Sequence, residues 1–171
     1  MSRLQFPTRY LPKQLTKRDQ QRQLHMLVQS RKQYKKHKYY TRKRVGSYKS
    51  KKSSHVANAR KIYGIENIAP SRELAIKTGC SLSALQQIIK KGEGAYYSSG
   101  SRPNQTPQSW GLARLASAIT AGKAAAVDYD ILEKGCDPRK KAFRLAMQAK
   151  KKYGTGHSPT KRTKITKINV Y

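Results

Sequence analysis

Acidic residues are what this sequence has least of: eight Asp and Glu stand against 38 Lys and Arg in 171 positions, a formal charge of +30. Chemistry that needs paired carboxylates has almost nothing to draw on. Only Asp128, Asp130 and Glu133 lie close together. That spacing suits a helix start better, with Asp128 as the N-cap and the others as its acidic companions. Cysteine is nearly as scarce. Cys80 and Cys136 exclude a disulfide-rich scaffold; they allow one bridge, but two buried or reduced thiols are expected, as in an intracellular chain. The histidines, His25, His37, His55 and His157, show no metal-ligand spacing with those cysteines. Spacing alone does not speak against a Ser-His-Asp arrangement, but no G-x-S-x-G points to one. The expectation is a non-enzyme with no cofactor, metal or small-molecule substrate.

Long apolar runs are missing too. The longest, Ala124 to Val127, falls far short of the ~20 residues that cross a bilayer, so no membrane span is expected. No apolar region follows the basic start MSRLQFPTRYLPK, which argues against a secretory signal. Pro7 and Pro12 interrupt the amphipathic helix that a mitochondrial presequence needs. At 36% hydrophobic residues the chain has core material for one small helical unit of roughly 80–90 residues, with extensions.

What is present is positive charge, and it is segregated. Residues 1–61 hold 19 Lys and Arg and one acid, Asp19, for a net +18; residues 62–135 are nearly neutral at +2; residues 136–171 carry +10. Charge of one sign opposes compaction, so the flanks call for an anionic partner or an acidic protein surface. Tyr interleaved with Lys and Arg allows phosphate contact plus stacking on exposed bases, and equally suits an arm laid across acidic proteins. The organisation expected is a basic N-terminal arm with one amphipathic helix (1–61), a helical core (62–153) and an extended tail (154–171).

Local signals place the elements. Thr16 offers an N-cap, with Asp19 in the first turn, for a helix to about Lys36 whose stripe is Leu24, Leu27, Val28 and Tyr34. The stretch HKYYTRKRVGSYKSKKS shows no helical period and reads as extended. Ser54 caps a short helix ending at Tyr63, with Gly64 beyond it. Ser71 caps a helix through Thr78, which Gly79 ends. Ser81 or Ser83 starts another, expected to stop at Gly92. Thr106-Pro107 opens a helix to Ala121, Asp128 one closed by Gly135, and Asp137-Pro138 a last one to Tyr153. The tail TKRTKITKINVY alternates Ile165, Ile168 and Val170 with polar residues, which suits a strand added to another sheet edge. The fold class expected is all-α, with extended basic ends.

The sharpest local motif is ELAIKTGCSLSALQQIIKKG, which resembles a helix-turn-helix. Ala75 takes the small crossing position, Gly79 the turn, and Leu74, Leu85 and Ile88 the core. The second helix then presents Ser81, Ser83, Gln86, Gln87 and Lys90 outward, types that suit base edges and phosphates. Helix pairs of this shape also serve as plain packing units, and the neutral outward face favours that use.

After it comes GEGAYYSSGSRPNQ, whose Gly94, Gly100 and Pro103 fix a tight path and whose Asn104 and serines can satisfy backbone groups. Glycines ahead of a helix start form an anion site, but neither G-x-x-x-x-G-K-[ST] nor G-x-G-x-x-G after a strand is present. Trp110, Leu112, Leu115 and Ile119 fall near one helical face and are expected to form the heart of the core. Arg102 and Arg114 suit phosphate, or a hydrogen-bonding clasp that holds the loop on the helix; the clasp is favoured.

The segments AYYSSGSRPNQT and SWGLARLASAI, with RYLPKQLTKRD, SRKQYKKHKYYTRKRVGSYKSKKSSH and KTGCSLSALQQIIKKG in the same order, resemble a family of small basic proteins of large nucleocytoplasmic DNA viruses, algal giant viruses among them. The resemblance covers residues 8 to about 135 and implies a viral context, with no catalytic site. In that context a virion structural protein is expected, in the capsid shell and assembled in the host cytoplasm. It would be a minor capsid protein cementing the major capsid protein and other minor capsid proteins through its arms. Phe6, Tyr10 and Leu11 are its candidate plugs into a neighbour. Tyr39, Tyr40, Arg42 and Arg44 are candidates to cross acidic surface, and Ile165, Ile168 and Val170 to add a strand to another chain. The alternative is a DNA-binding, genome-packaging protein that contacts viral DNA through the basic arms and Ser81, Ser83, Gln86, Gln87 and Lys90.

Overall fold

The computed structural model describes residues 4–157 and 159–165. Among them it is mostly helical, with eight α-helices and one small two-stranded sheet. The chain divides into two compact units. The described residues of unit 1 are 4–50, 97–106 and 159–165, and those of unit 2 are 51–96 and 107–157. This differs from the boundaries expected at 61 and 153. The residues near both chain ends and the 97–106 loop gather in one unit.

In unit 1, β1 (Gln5–Pro7) pairs antiparallel with β2 (Arg162–Lys164), Phe6 standing opposite Thr163. The amides of Thr8 and Ile165 lengthen the ladder, donating to the carbonyls of Lys161 and Leu4 at 2.9 and 3.1 Å. The tail strand expected to join another chain therefore pairs within this one at Arg162–Lys164, while Ile168 and Val170 lie outside the described residues. Helix α1 (Lys17–Tyr34) begins where expected, with the Thr16 hydroxyl accepting from the Asp19 amide. Its buried face keeps Leu27 from the expected stripe but is otherwise shifted. Gln23, Met26, Leu27 and Ser30 are buried, while Leu24 and Val28 are only half-buried. The two polar residues explain the rotation. Gln23 donates to the Tyr10 carbonyl at 3.3 Å and Ser30 to the Tyr97 carbonyl at 3.1 Å, so each is paired rather than stranded. Beyond α1 the chain runs without regular structure, as its lack of period implied, yet Val45 is buried with Leu15 and Met26, and Tyr40 and Tyr48 pack against them.

Unit 2 holds seven helices: α2 (Ser54–Tyr63), α3 (Arg72–Thr78), α4 (Leu82–Ser98, its last two residues in unit 1), α5 (Pro107–Ala118), α6 (Lys123–Val127), α7 (Tyr129–Gly135) and α8 (Lys141–Tyr153). Its core is built from Leu74, Leu85, Ile88, Leu115, Ile119 and Leu132, with alanines of α6 and α8 where helices come close. Trp110 and Leu112, expected at its heart, are only half-buried. Helix α4 does not stop at Gly92. That glycine is buried in the middle of the helix, where a Cβ would come within 2.6 Å of the Gly111 Cα. It is a close-approach residue between α4 and α5, not a terminator. Asp128 is likewise not a side-chain cap. It is 1% exposed and accepts from Arg114 Nε and an Arg114 terminal nitrogen, each at 2.8 Å. Arg114 is thus a clasp, but on the α6–α7 junction rather than on the loop.

Cys80 and Cys136 form a disulfide, against the expectation of two thiols. Their segments meet as an antiparallel bridge. The Ser81 amide donates to the Gly135 carbonyl at 2.7 Å and the Asp137 amide to the Gly79 carbonyl at 2.8 Å. A separation of 56 residues gave no hint of that pairing. The bond also removes the ground for expecting an intracellular chain, since that rested on free cysteines.

Candidate nucleic-acid interface

The described residues of unit 1 contain 18 Lys and Arg and a single acid, Asp19. That acid is occupied. Its carboxylate accepts from the Ser47 amide at 2.8 Å and the Ser47 hydroxyl at 2.6 Å. These bonds, hydroxyl first, hold it below the usual carboxylate range. The one negative charge therefore fastens residues 16–19 to Ser47 and stays ionised, while most of the cations face solvent.

Two arginines are exceptions, and both serve the fold. Arg42 is 7% exposed. It donates to the hydroxyls of Ser30 at 2.9 Å and Ser101 at 2.8 Å. Sequence reasoning placed it on an acidic partner's surface; burial gives it an internal role instead. Arg31 lies over the Phe6 ring at 3.8 Å and donates to the Ser99 carbonyl at 2.9 Å. Burial, and after it the neighbouring Arg162 charge, pushes its guanidinium below its usual range.

Phe6, Tyr10 and Leu11 are all buried within this chain, so they are not free to plug a neighbour. Tyr10 and Leu27 side chains close over Gly100. Phe6 is held under Arg31. Asn104 does more than sequence reasoning gave it: its side chain binds both backbone groups of Val45, at 2.8 and 3.0 Å, and the Tyr48 carbonyl at 3.1 Å. Of the expected arm residues, Arg44 and Tyr39 remain exposed and Tyr40 is half-buried.

Tyr39 is 70% exposed and not alone. Tyr34, at the end of α1, and Tyr97, near the end of α4, have nearly parallel rings 7° apart in plane, with centroids 6.5 Å apart. Tyr39 leans on both, at 5.1 Å from Tyr97 and 6.3 Å from Tyr34. Exposed Lys32, Lys35, Lys36 and Lys38 flank the cluster in sequence. Sequence reasoning missed it because it assigned Tyr97 to a loop. Continuation of α4 through Gly92 and Gly94 brings that ring to Tyr34.

In unit 2, α3 and α4 are joined through Gly79, left-handed at φ 76°, with Leu74, Leu85 and Ile88 fully buried. Ser81, Ser83, Gln86, Gln87 and Lys90 are all exposed. The first turn of α4 is nonetheless hemmed in. A Cβ on Gly135 would meet that of Ala84, and Ser81 and Gln87 share a surface depression with Asp130 and Lys134 of α7. Among the described residues no group of three or more His, Cys, Asp or Glu could hold a metal ion. No helix of the described residues is long and apolar enough to cross a membrane.

A family model described as a family of unknown function, DUF5824, matches residues 7–142. No curated protein and no solved structure matches the chain.

Proposed function

The chain belongs to that family of unknown function, and we propose that it is a nucleic-acid-binding protein whose basic unit 1 grips the phosphate backbone. In a virus of the kind the resemblance implies, that is a genome-packaging role. The observation that carries the reading is the folded unit with 18 Lys and Arg to one internally bonded acid. Such a unit repels itself, and a polyanion relieves the repulsion while releasing its own counterions. The reading requires no cofactor, metal or small-molecule substrate.

The helix-turn-helix reading of α3 and α4 is the finer part of the proposal, and its support is divided. The left-handed Gly79 and the exposed Gln86 and Gln87 favour it. The depression that Ser81 and Gln87 share with Asp130 and Lys134 pairs one acid with one base and offers phosphate no net positive charge, so phosphate contact is assigned to unit 1. Titrating the full chain with a mixed-sequence duplex between about 50 and 200 mM salt tests the reading: ten neutralised phosphates give a log–log slope of about −9. Binding that is absent at low salt, or insensitive to salt, rejects it. If changing Gln86 and Gln87 together to Ala leaves any sequence preference intact, α4 is not a base reader.

The second reading is the minor capsid protein that cements major capsid subunits. Three large apolar side chains exposed on unit 2, Ile76, Leu82 and Met147, favour it, because they suit protein contact rather than phosphate. It no longer rests on Phe6, Tyr10 or Leu11. Under it the protein fractionates with the shell of a particle and not with its genome.

A further inference from the structure

We propose that Tyr34, Tyr39 and Tyr97 form a stacking platform for an unpaired base, so that the ligand of unit 1 is single-stranded nucleic acid in preference to duplex. This rests on the nucleic-acid reading above and adds a place and a strand class to it. A phosphate-gripping surface alone does not distinguish a single strand from a duplex. An exposed aromatic face does, because duplex bases are already stacked on each other and a single strand offers free π-faces.

Three features single out this cluster among the tyrosines. The first is exposure: Tyr39 is the most exposed large hydrophobic side chain described, at 70%, and it leans on two half-buried rings that limit its motion. Leaving an aromatic surface in water is unfavourable, and a stacked base would cover it. The second is preorganisation. Tyr97 is fixed through its carbonyl by the Ser30 hydroxyl at 3.1 Å, and Ser30 is itself held by buried Arg42 at 2.9 Å. Tyr39 follows a tight reversal in which the amides of His37 and Lys38 donate to the Tyr34 and Gln33 carbonyls, each at 3.0 Å. Both supporting rings and the segment bearing Tyr39 are thus positioned before any ligand arrives, which lowers the ordering cost of binding.

The third feature is charge. Lys35, Lys36 and Lys38 occupy the turn between Tyr34 and Tyr39 and are exposed. The one acid of unit 1 is bonded to Ser47. An exposed aromatic patch with three exposed lysines in the turn that builds it, and with its unit's one acidic side chain bonded to Ser47, is complementary to a ligand with flat apolar faces on a polyanionic strand. A protein partner would have to supply an acidic rim around an apolar pocket, and a chain that binds no nucleic acid in the test is the outcome that favours it.

The experiment uses the full chain with fluorescein-labelled single-stranded DNA, single-stranded RNA and duplex DNA of one length and mixed sequence, followed by anisotropy. Wild type should bind single strands more tightly than duplex. Tyr39→Ala should lower the single-strand-to-duplex affinity ratio about tenfold, and Tyr39→Phe, which keeps the ring, should restore it to within about twofold. Circular dichroism melting checks that each variant is folded. Replacing Lys35, Lys36 and Lys38 together by Ala should reduce the salt slope by about two to three, since each cation contributes about 0.9 on duplex and about 0.7 on a single strand. Equal losses for Tyr39→Ala and Tyr39→Phe, or a ratio that does not move, overturn the platform while leaving phosphate binding in place. A wild type that binds neither strand class in a salt-dependent manner overturns the parent reading.

Discussion

Tyr63 shows how much one polar atom can matter in a core this small. Its ring lies in the interior of unit 2, and its hydroxyl donates to the Ile119 carbonyl at 2.6 Å. That carbonyl sits just past α5, where the chain turns through Ala121 at φ 58°. Carbonyls at a helix end have no amide ahead of them to accept. Burial pushes the Tyr63 hydroxyl far above its usual range, so it stays a donor at any working pH. Tyr63→Phe keeps the packing and removes only the donor. The stranded carbonyl should then cost about 1–3 kcal/mol, more than the bond's net worth in a solvated site. A lowered urea midpoint with an unchanged m-value is the expected result; an unchanged midpoint would mean that water reaches Ile119. His55 adds a pH term in the same unit. Burial lowers its pKa below the ordinary 6.5, so its neutral form is the one the fold accepts. Its contribution is fully present above about pH 6.5 and is lost as pH falls below that value towards the folded pKa.

Helix boundaries in this chain follow two kinds of rule, and only one can be read locally. Thr16 and Ser71 cap α1 and α3 through their own hydroxyls, and Gly79 ends α3 in the left-handed region. Each of those signals lies within a few residues of its effect, so the sequence alone located them. Gly92 carried the same local signal and meant something else. Within a helix, Gly→Ala normally stabilises by about 1 kcal/mol. Here the new methyl would press on the Gly111 Cα at 2.6 Å and the Arg114 Cβ at 3.3 Å. Since both neighbours belong to α5, relief requires moving a helix rather than a side-chain tip. Gly92→Ala should therefore destabilise the protein, by about 1–3 kcal/mol, and thermal melting against wild type measures it. A raised Tm would show that α4 and α5 have room to part. The Cys80–Cys136 bond, the β1–β2 pairing and the burial of Arg42 were illegible for a common reason. Each joins residues dozens of positions apart, and composition and periodicity carry no register between distant segments. The Tyr34–Tyr39–Tyr97 cluster was half legible. Its tyrosines stand in a basic, aromatic-rich stretch, but which rings meet depends on where α4 ends.

The whole chain confronts a problem that its charge sets. Unit 1 must bring 18 described cations together around one acid, and mutual repulsion works against every contact that closes it. Part of what opposes the repulsion lies in the two terminal segments. Residues 4–15 supply β1, Phe6, Tyr10, Leu11 and Leu15, all but the strand's edges buried. Residues 161–165 supply the partner strand and the carbonyl that receives the Thr8 amide. Had these segments been free arms, deleting either one would leave the folded part as stable as before. Their burial predicts the opposite. Removing residues 1–15, or 160–171, should expose the apolar face of α1 and leave unit 1 to its own repulsion, so that it unfolds at low salt. Hydrogen exchange followed residue by residue would show the amides of α1 losing protection, while those of α5, whose core is drawn from Leu115, Ile119 and their unit 2 neighbours, keep it. Raising the salt, or adding a mixed-sequence oligonucleotide, should restore part of the α1 protection by screening or neutralising the same charges. Truncated chains that retain full α1 protection at low salt would mean that α1 and the 97–106 loop hold unit 1 together without help from either end.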